Sequence, residues 1–198
     1  MNAPAPGPVL ILASGSPRRR MLLGEAGFSF RVVVPDVDES TAPGEAPEQV
    51  VARLALDKAR AALGGVVPGQ RVLAADTVVA IDGEILGKPR DAADAVRMLL
   101  QLGGRTHRVL TGFALLARDP EIEERGVEES RVTFRSIGVA EAKAYVATGE
   151  PLDKAGSYAA QGEGASFIAR IDGSRSNVIG LPMERLVPIL ERCGVARA

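Results

Sequence analysis

The stretch VLILASGSPRRRMLL, residues 9–23, carries the pattern that decides the fold. An apolar run from Val9 to Leu12 ends at Ala13, and Ser14, Gly15 and Ser16 form a turn. Ser16 and Pro17 then supply an N-cap and a first helical residue. A buried strand that feeds a helix through a short polar turn is a building block of α/β proteins. The same geometry aims backbone N–H groups out of the helix start, where Arg18, Arg19 and Arg20 add cations, so the turn suits a polyanion such as a phosphate chain. The plainer alternative is a capped helix whose three arginines face water.

The alternation continues along the chain. Residues 1–8, MNAPAPGP, are rich in Pro and read as a disordered arm, so the fold begins at Val9. The pattern predicts strands at 9–13 and 28–34 and helices at 17–26 and 47–63, the last stopped by Gly64 and Gly65. A strand from about 72 to 81, the Asp82-Gly83 turn and the short segment 84–86 give a hairpin signal. A helix at 91–102 follows, then β segments at 106–118 and 127–135 around DPEIEERG, residues 119–126, which reads as a solvated hairpin tip. The last third predicts a helix at 139–148, a glycine-rich stretch at 156–164, a strand at 166–171 and a helix from Pro182, with 194–198 as a tail. Helices interleaved with parallel-type and hairpin-type connections imply one α/β domain, 9–193, with a mixed sheet flanked by helices.

A chain of 198 residues suffices for one domain, or for one domain split into two lobes around a substrate cleft. A net charge of −1 provides no global field for nucleic acid or anionic lipid, and 4% aromatics provide no basic stripe interleaved with stacking residues, so no nucleic-acid partner is expected. No apolar run reaches the roughly 18 residues of a membrane span, and the N-terminus lacks a signal peptide's basic start and apolar core. A cytoplasmic location without a membrane partner is the expectation. With one cysteine, Cys193, and one histidine, His107, there is no internal disulfide and no Cys/His metal cluster. Any metal is then held by carboxylates and is Mg²⁺ or Mn²⁺.

Strand periodicity places Asp76 on the apolar face of Val72, Ala74 and Val78. A carboxylate there needs a partner, a metal or a cleft, unless the strand bends or that face is an exposed edge. Thr77 points the other way, with its hydroxyl able to line a pocket at a strand end. Lys58 interrupts the helical stripe of Val51, Leu54, Ala55 and Ala62, where snorkelling out to solvent is the commoner outcome. Lys88, in the Gly87-Lys88-Pro89 loop, can reach an anion or simply be solvated. Glu39 lies in an acidic loop, VPDVDES, able to hold a hard cation or to stay solvated. His107 has no partner nucleophile and reads as structural; Cys193 reads as inert.

Together, LASGSPRR (12–19), VDE (37–39), LALDKA (54–59), ADTVV (75–79) and GKP (87–89) resemble the Maf family. The blocks THRVLTG (106–112), VTFR (132–135), EPLDKAGSYAAQG (150–162) and NVIGLP (177–182) continue the resemblance in order, over about Val9 to Leu190. The resemblance implies a Maf/ITPase-like fold and a nucleoside triphosphate pyrophosphatase. Water attacks the α-phosphorus, with Asp76 as base or metal ligand, Glu39 on a divalent cation (Mg²⁺ or Mn²⁺), and Ser14, Arg19, Lys58 and Lys88 on the phosphates. Arg18, Thr77 and Gln161 match the branch that resembles dTTP and UTP pyrophosphatases, which implies a role in choosing the base; Ala160 stands where related sequences carry a larger apolar residue. The resemblance also implies a house-cleaning role on dTTP, UTP or modified pyrimidine nucleotides, and a homodimer fits the family pattern. A nucleotide-binding regulator of cell division and septum formation, without turnover, is the alternative.

Overall fold

The computed structural model describes residues 9–42 and 44–197. The arm expected at residues 1–8 lies outside the described residues. The order of elements is β1 (Leu10–Ala13), α1 (Pro17–Glu25), β2 (Phe30–Val33), α2 (Pro47–Leu63), β3 (Arg71–Ile81), β4 (Glu84–Leu86), α3 (Ala92–Leu102), β5 (Thr106–Arg118), β6 (Glu121–Phe134), α4 (Val139–Ala147), β7 (Ile168–Asp172), α5 (Arg175–Ile179) and α6 (Met183–Arg192). The seven strands form one mixed sheet in the order β2-β1-β3-β5-β6-β7, with β4 paired to β3. β1 runs parallel to β2 and β3, whereas β3/β4 and β6/β7 are antiparallel. The expected mixed sheet flanked by helices is what forms, and among the described residues no helix is long and apolar enough to cross a membrane.

By contacts the chain divides into two compact units. The first comprises the chain up to Asp76, Gly112–Val127 and the segment from Gly180 onward. Its core sets Ile11, Ala13, Val72, Ala74, Ala114 and Leu116 of the sheet against Ala55, Leu56, Ala59 and Ala62 of α2. Small side chains on the helix let it lie close to the strands. Closest of all is Gly112, where an added Cβ would stand 2.2 Å from the Val51 carbonyl oxygen. Val195 is buried, and Arg197 pairs with Phe28 and lies over its ring, so the C-terminal segment is part of this unit.

The second unit comprises Thr77–Thr111 and Glu128–Ile179. An aromatic cluster fills it: His107, Phe134 and Tyr158 meet edge to face, and Phe167 contacts Phe134 and Tyr145. The His107 ring is buried and shares a 2.9 Å hydrogen bond between Nε2 and the Tyr158 hydroxyl.

Two elements differ from the sequence reading. β6 begins at Glu121, so the supposed solvated tip shrinks to Asp119 and Pro120. Charge does not exclude a strand whose face meets water, and here Glu123 pairs with Arg125 and Glu124 with Arg192. The short helix α5 spans only five residues, too few to show a helical apolar period, although Ser174 Oγ caps it by accepting the Asn177 N–H at 3.0 Å.

Gly112→Ala should destabilise the protein by roughly 3 kcal/mol, since helix backbone rather than a flexible side chain must move; an unchanged melting temperature would contradict the close approach of α2 to β5. Burial pulls the His107 imidazole from its ordinary 6.5 down to about 4. The unfolded chain therefore binds a proton that the folded one refuses, and the stability carried by the neutral ring is complete above pH 6.5 and drains as pH falls toward 4. Urea unfolding should show a loss of about 2 kcal/mol between pH 6.5 and 5, with a shallower slope in His107→Gln.

Candidate active site

In the first unit the opening turn folds as the capping signals require. Ser16 Oγ accepts the Arg19 N–H, with Pro17 at the start of α1. Ser14, buried at the end of β1, accepts from the Ser16 N–H at 3.2 Å and from Arg19 Nη1 at 3.1 Å. Arg19 Nε donates to the Gly180 carbonyl at 2.9 Å, so two anchors hold this guanidinium. Desolvation lowers its pKa from the ordinary value, while the negative charges of Asp76 and Glu39 act in the opposite direction. Arg18 is partly buried, and Arg20 is exposed and donates to the Gly15 carbonyl.

Lys58 does not snorkel. It is 8% exposed, and its ammonium lies 2.6 Å from Asp76 Oδ1 and 2.6 Å from Glu39 Oε1. Asp76 is equally buried on β3, whereas Glu39 is exposed. The structure thus brings Ser14, Arg19, Glu39, Lys58 and Asp76 together. The group has two carboxylates, one ammonium and one guanidinium, with the cations pre-placed for an anionic ligand. Among the described residues no group of three or more His, Cys, Asp or Glu side chains forms a metal cluster.

Thr77, Lys88 and Gln161 belong to the second unit. Thr77 is partly buried, with its Oγ1 2.9 Å from that of Thr111. Lys88 is exposed on the loop after β4. That loop is held by backbone contacts on either side of the lysine. The Gly87 carbonyl accepts the Gly156 N–H at 3.1 Å, and Asp94 Oδ2 accepts the Arg90 N–H at 3.1 Å. The Arg90 N–H, then Arg97 and the Arg90 side chain, hold the Asp94 carboxyl down at about 2.

Gln161 sits in a tight turn fastened by residues that no motif or spacing singles out. Glu150 Oε1 accepts from the Tyr145 hydroxyl at 2.7 Å and the Gly164 N–H at 3.1 Å, and its Oε2 accepts the Glu163 N–H at 3.2 Å. Tyr145 in turn accepts the Ala159 N–H at 3.1 Å. Burial works to raise the Glu150 carboxyl, but the Tyr145 hydroxyl and the two backbone N–H groups outweigh it and hold the group below its ordinary value. Gly162, at φ +91°, disfavours a side chain, since that backbone conformation is strained for other residues and a Cβ 2.5 Å from Glu150 Oε2 would displace the carboxylate. Glu150 lies within the EPLDKAGSYAAQG block, but nothing in its spacing marks it as the clamp. His107 is a buried core residue, and burial pushes the Cys193 thiol up from its ordinary value.

A mixed sheet flanked by helices places the chain among the α/β proteins, and its fold is found in solved structures. The Staphylococcus aureus Ham1 protein aligns with a TM-score of 0.51 at 15% identity, covering 92% of this chain and 98% of that one. The family is more specific: the Maf-like protein model matches residues 9–193, and the chain belongs to the Maf family. A relative from Desulfotalea psychrophila, named dTTP/UTP pyrophosphatase, is 52% identical over 90% of this chain and 91% of its own length. One from Myxococcus xanthus with the same name is 51% identical, covering 94% of this chain and 93% of its own. A Vibrio cholerae relative, again so named, is 46% identical over 92% and 97%.

Lys58→Met leaves Asp76 buried without its ammonium and should cost about 3 kcal/mol in urea unfolding, whereas Lys58→Met combined with Asp76→Asn should recover much of that loss. A double-variant loss equal to the sum of the two single-variant losses would mean that the pair is not coupled.

Proposed function

We propose that this chain hydrolyses dTTP and UTP to the monophosphate and pyrophosphate, with Asp76 as general base. The observation that carries the reading is the buried Lys58 ammonium shared by Asp76 and Glu39 at 2.6 Å each. It occurs in a chain about half identical to relatives that bear the name of this activity.

Arg19, held by Ser14 and Gly180, and Lys58 meet the charge of a triphosphate with little reorganisation. Lys88 adds a cation from its fastened loop. Water forms a bond to the α-phosphorus as the bond to the bridging oxygen breaks, and pyrophosphate leaves with the bonding pair. Asp76 accepts the proton of the attacking water. Glu39 then keeps a negative partner beside Lys58 while Asp76 is neutral, so the buried ammonium is not left alone.

Glu39 and Asp76 also offer two hard oxygen ligands. Mg²⁺ is commonly held by one or two carboxylates and the substrate phosphates, so this donor set suits Mg²⁺ or Mn²⁺ without a third carboxylate. When bound, the cation supplies charge neutralisation at the phosphates. Arg18, Thr77 and Gln161 recognise the base, and Thr77 directly follows Asp76 in β3.

With Mg²⁺ or Mn²⁺, the purified protein should release pyrophosphate from dTTP and UTP at least about tenfold faster than from ATP, GTP or 7-methyl-GTP. Asp76→Asn should lower kcat by about 100-fold or more while the circular dichroism spectrum stays that of the folded protein. Undiminished turnover in that variant would remove Asp76 from the chemistry.

A further inference from the structure

We propose that Thr111 is a positioning residue that fixes the Thr77 hydroxyl as a hydrogen-bond acceptor, so that Thr77 reads an N–H donor on the base, the N3–H of uracil or thymine. This rests on the reading above that Thr77 contacts the base.

The argument is one of proton counting. Thr111 is fully buried, and its Oγ1 lies 3.0 Å from the Asn177 carbonyl oxygen and 2.9 Å from Thr77 Oγ1. A carbonyl only accepts, and a threonine hydroxyl has a single proton to give. The Thr111 proton therefore goes to Asn177, and the Thr77 hydroxyl must donate to Thr111. With its own proton given to Thr111, Thr77 can meet a ligand only as an acceptor.

The relay is anchored at its far end. Asn177 Nδ2 donates to the Val109 carbonyl at 3.1 Å and to Ser130 Oγ at 2.9 Å, and the Asn177 N–H donates to Ser174 Oγ. The carbonyl that takes the Thr111 proton is thus held by contacts from both flanking strands. All of these groups lie in the second unit.

The polarity selects between pyrimidines of equal size. Uracil and thymine carry a donor at N3, whereas cytosine carries an acceptor there. An acceptor-only Thr77 facing cytosine leaves two lone pairs opposed and a polar group unsatisfied. Without the Thr111 hydroxyl, the Thr77 proton is no longer committed to Thr111 and can be given to a ligand, and cytosine becomes tolerable.

The test is the UTP:CTP ratio of kcat/KM in Thr77→Val, Thr111→Val and Thr111→Ser. Thr77→Val and Thr111→Val should each lower the ratio about tenfold, and Thr111→Ser, which keeps the hydroxyl, should retain it. A packing defect alone would lower both rates and leave the ratio in place. A ratio that changes in Thr77→Val but not in Thr111→Val overturns the relay while leaving Thr77 on the base. A ratio unmoved in Thr77→Val overturns the base contact itself, and the relay with it. Should Thr111→Val not fold, NMR of the unaltered protein decides. A Thr111 hydroxyl proton protected from exchange and coupled to the Asn177 carbonyl carbon supports the relay; a proton directed to Thr77 overturns it.

Discussion

Lys58 enters the protein from a helix face that is otherwise alanine, valine and leucine, and its charge must be answered where it arrives. Asp76 answers it from β3, buried to the same degree, and Glu39 adds a second carboxylate from an exposed loop. A buried ion pair adds little net stability, but removing one partner costs several kcal/mol. The pair therefore ties the register of α2 to that of β3. The same charge contact also sets how helix and strand are joined, so the charge cluster and the packing of α2 on β3 share one constraint.

The loops of the second unit follow a different rule. Glu150 and Asp94 are carboxylates aimed at backbone N–H groups, one fastening the turn that carries Gln161 and the other the segment after Lys88. Their charge goes into holding main chain still. An irregular segment fixed in this way can present a side chain with the precision of a helix or strand.

Much of this was legible in the sequence because its signals are local. Ser16 and Pro17 mark the start of α1, the Asp82-Gly83 turn marks the β3/β4 hairpin, and period-two spacing puts Asp76 on the face of Val72 and Ala74. Local signals also misled. The charges from Glu121 to Arg125 suggested a loop, although a strand with a wet face accommodates them, and Lys58 taken alone favoured snorkelling. What stayed hidden depends on distant partners. Glu150 finds the Gly164 N–H fourteen residues on, and Thr111 finds the Asn177 carbonyl sixty-six residues on. No periodicity encodes such meetings; they exist only once the strands and turns are in place.

The alanines of α2 have a consequence of their own. Ala55, Ala59 and Ala62 face β-strand side chains that include Ala13, Ala74 and Ala114, so the standoff between helix and sheet is set by methyl groups. A lysine has finite reach, and a 2.6 Å ammonium–carboxylate contact tolerates little displacement. The methyls therefore act as spacers for an electrostatic device in which they have no chemical share. Enlarging one of them would be felt first as a weakened charge contact, and residues with no polar atom govern how well the site holds its charges.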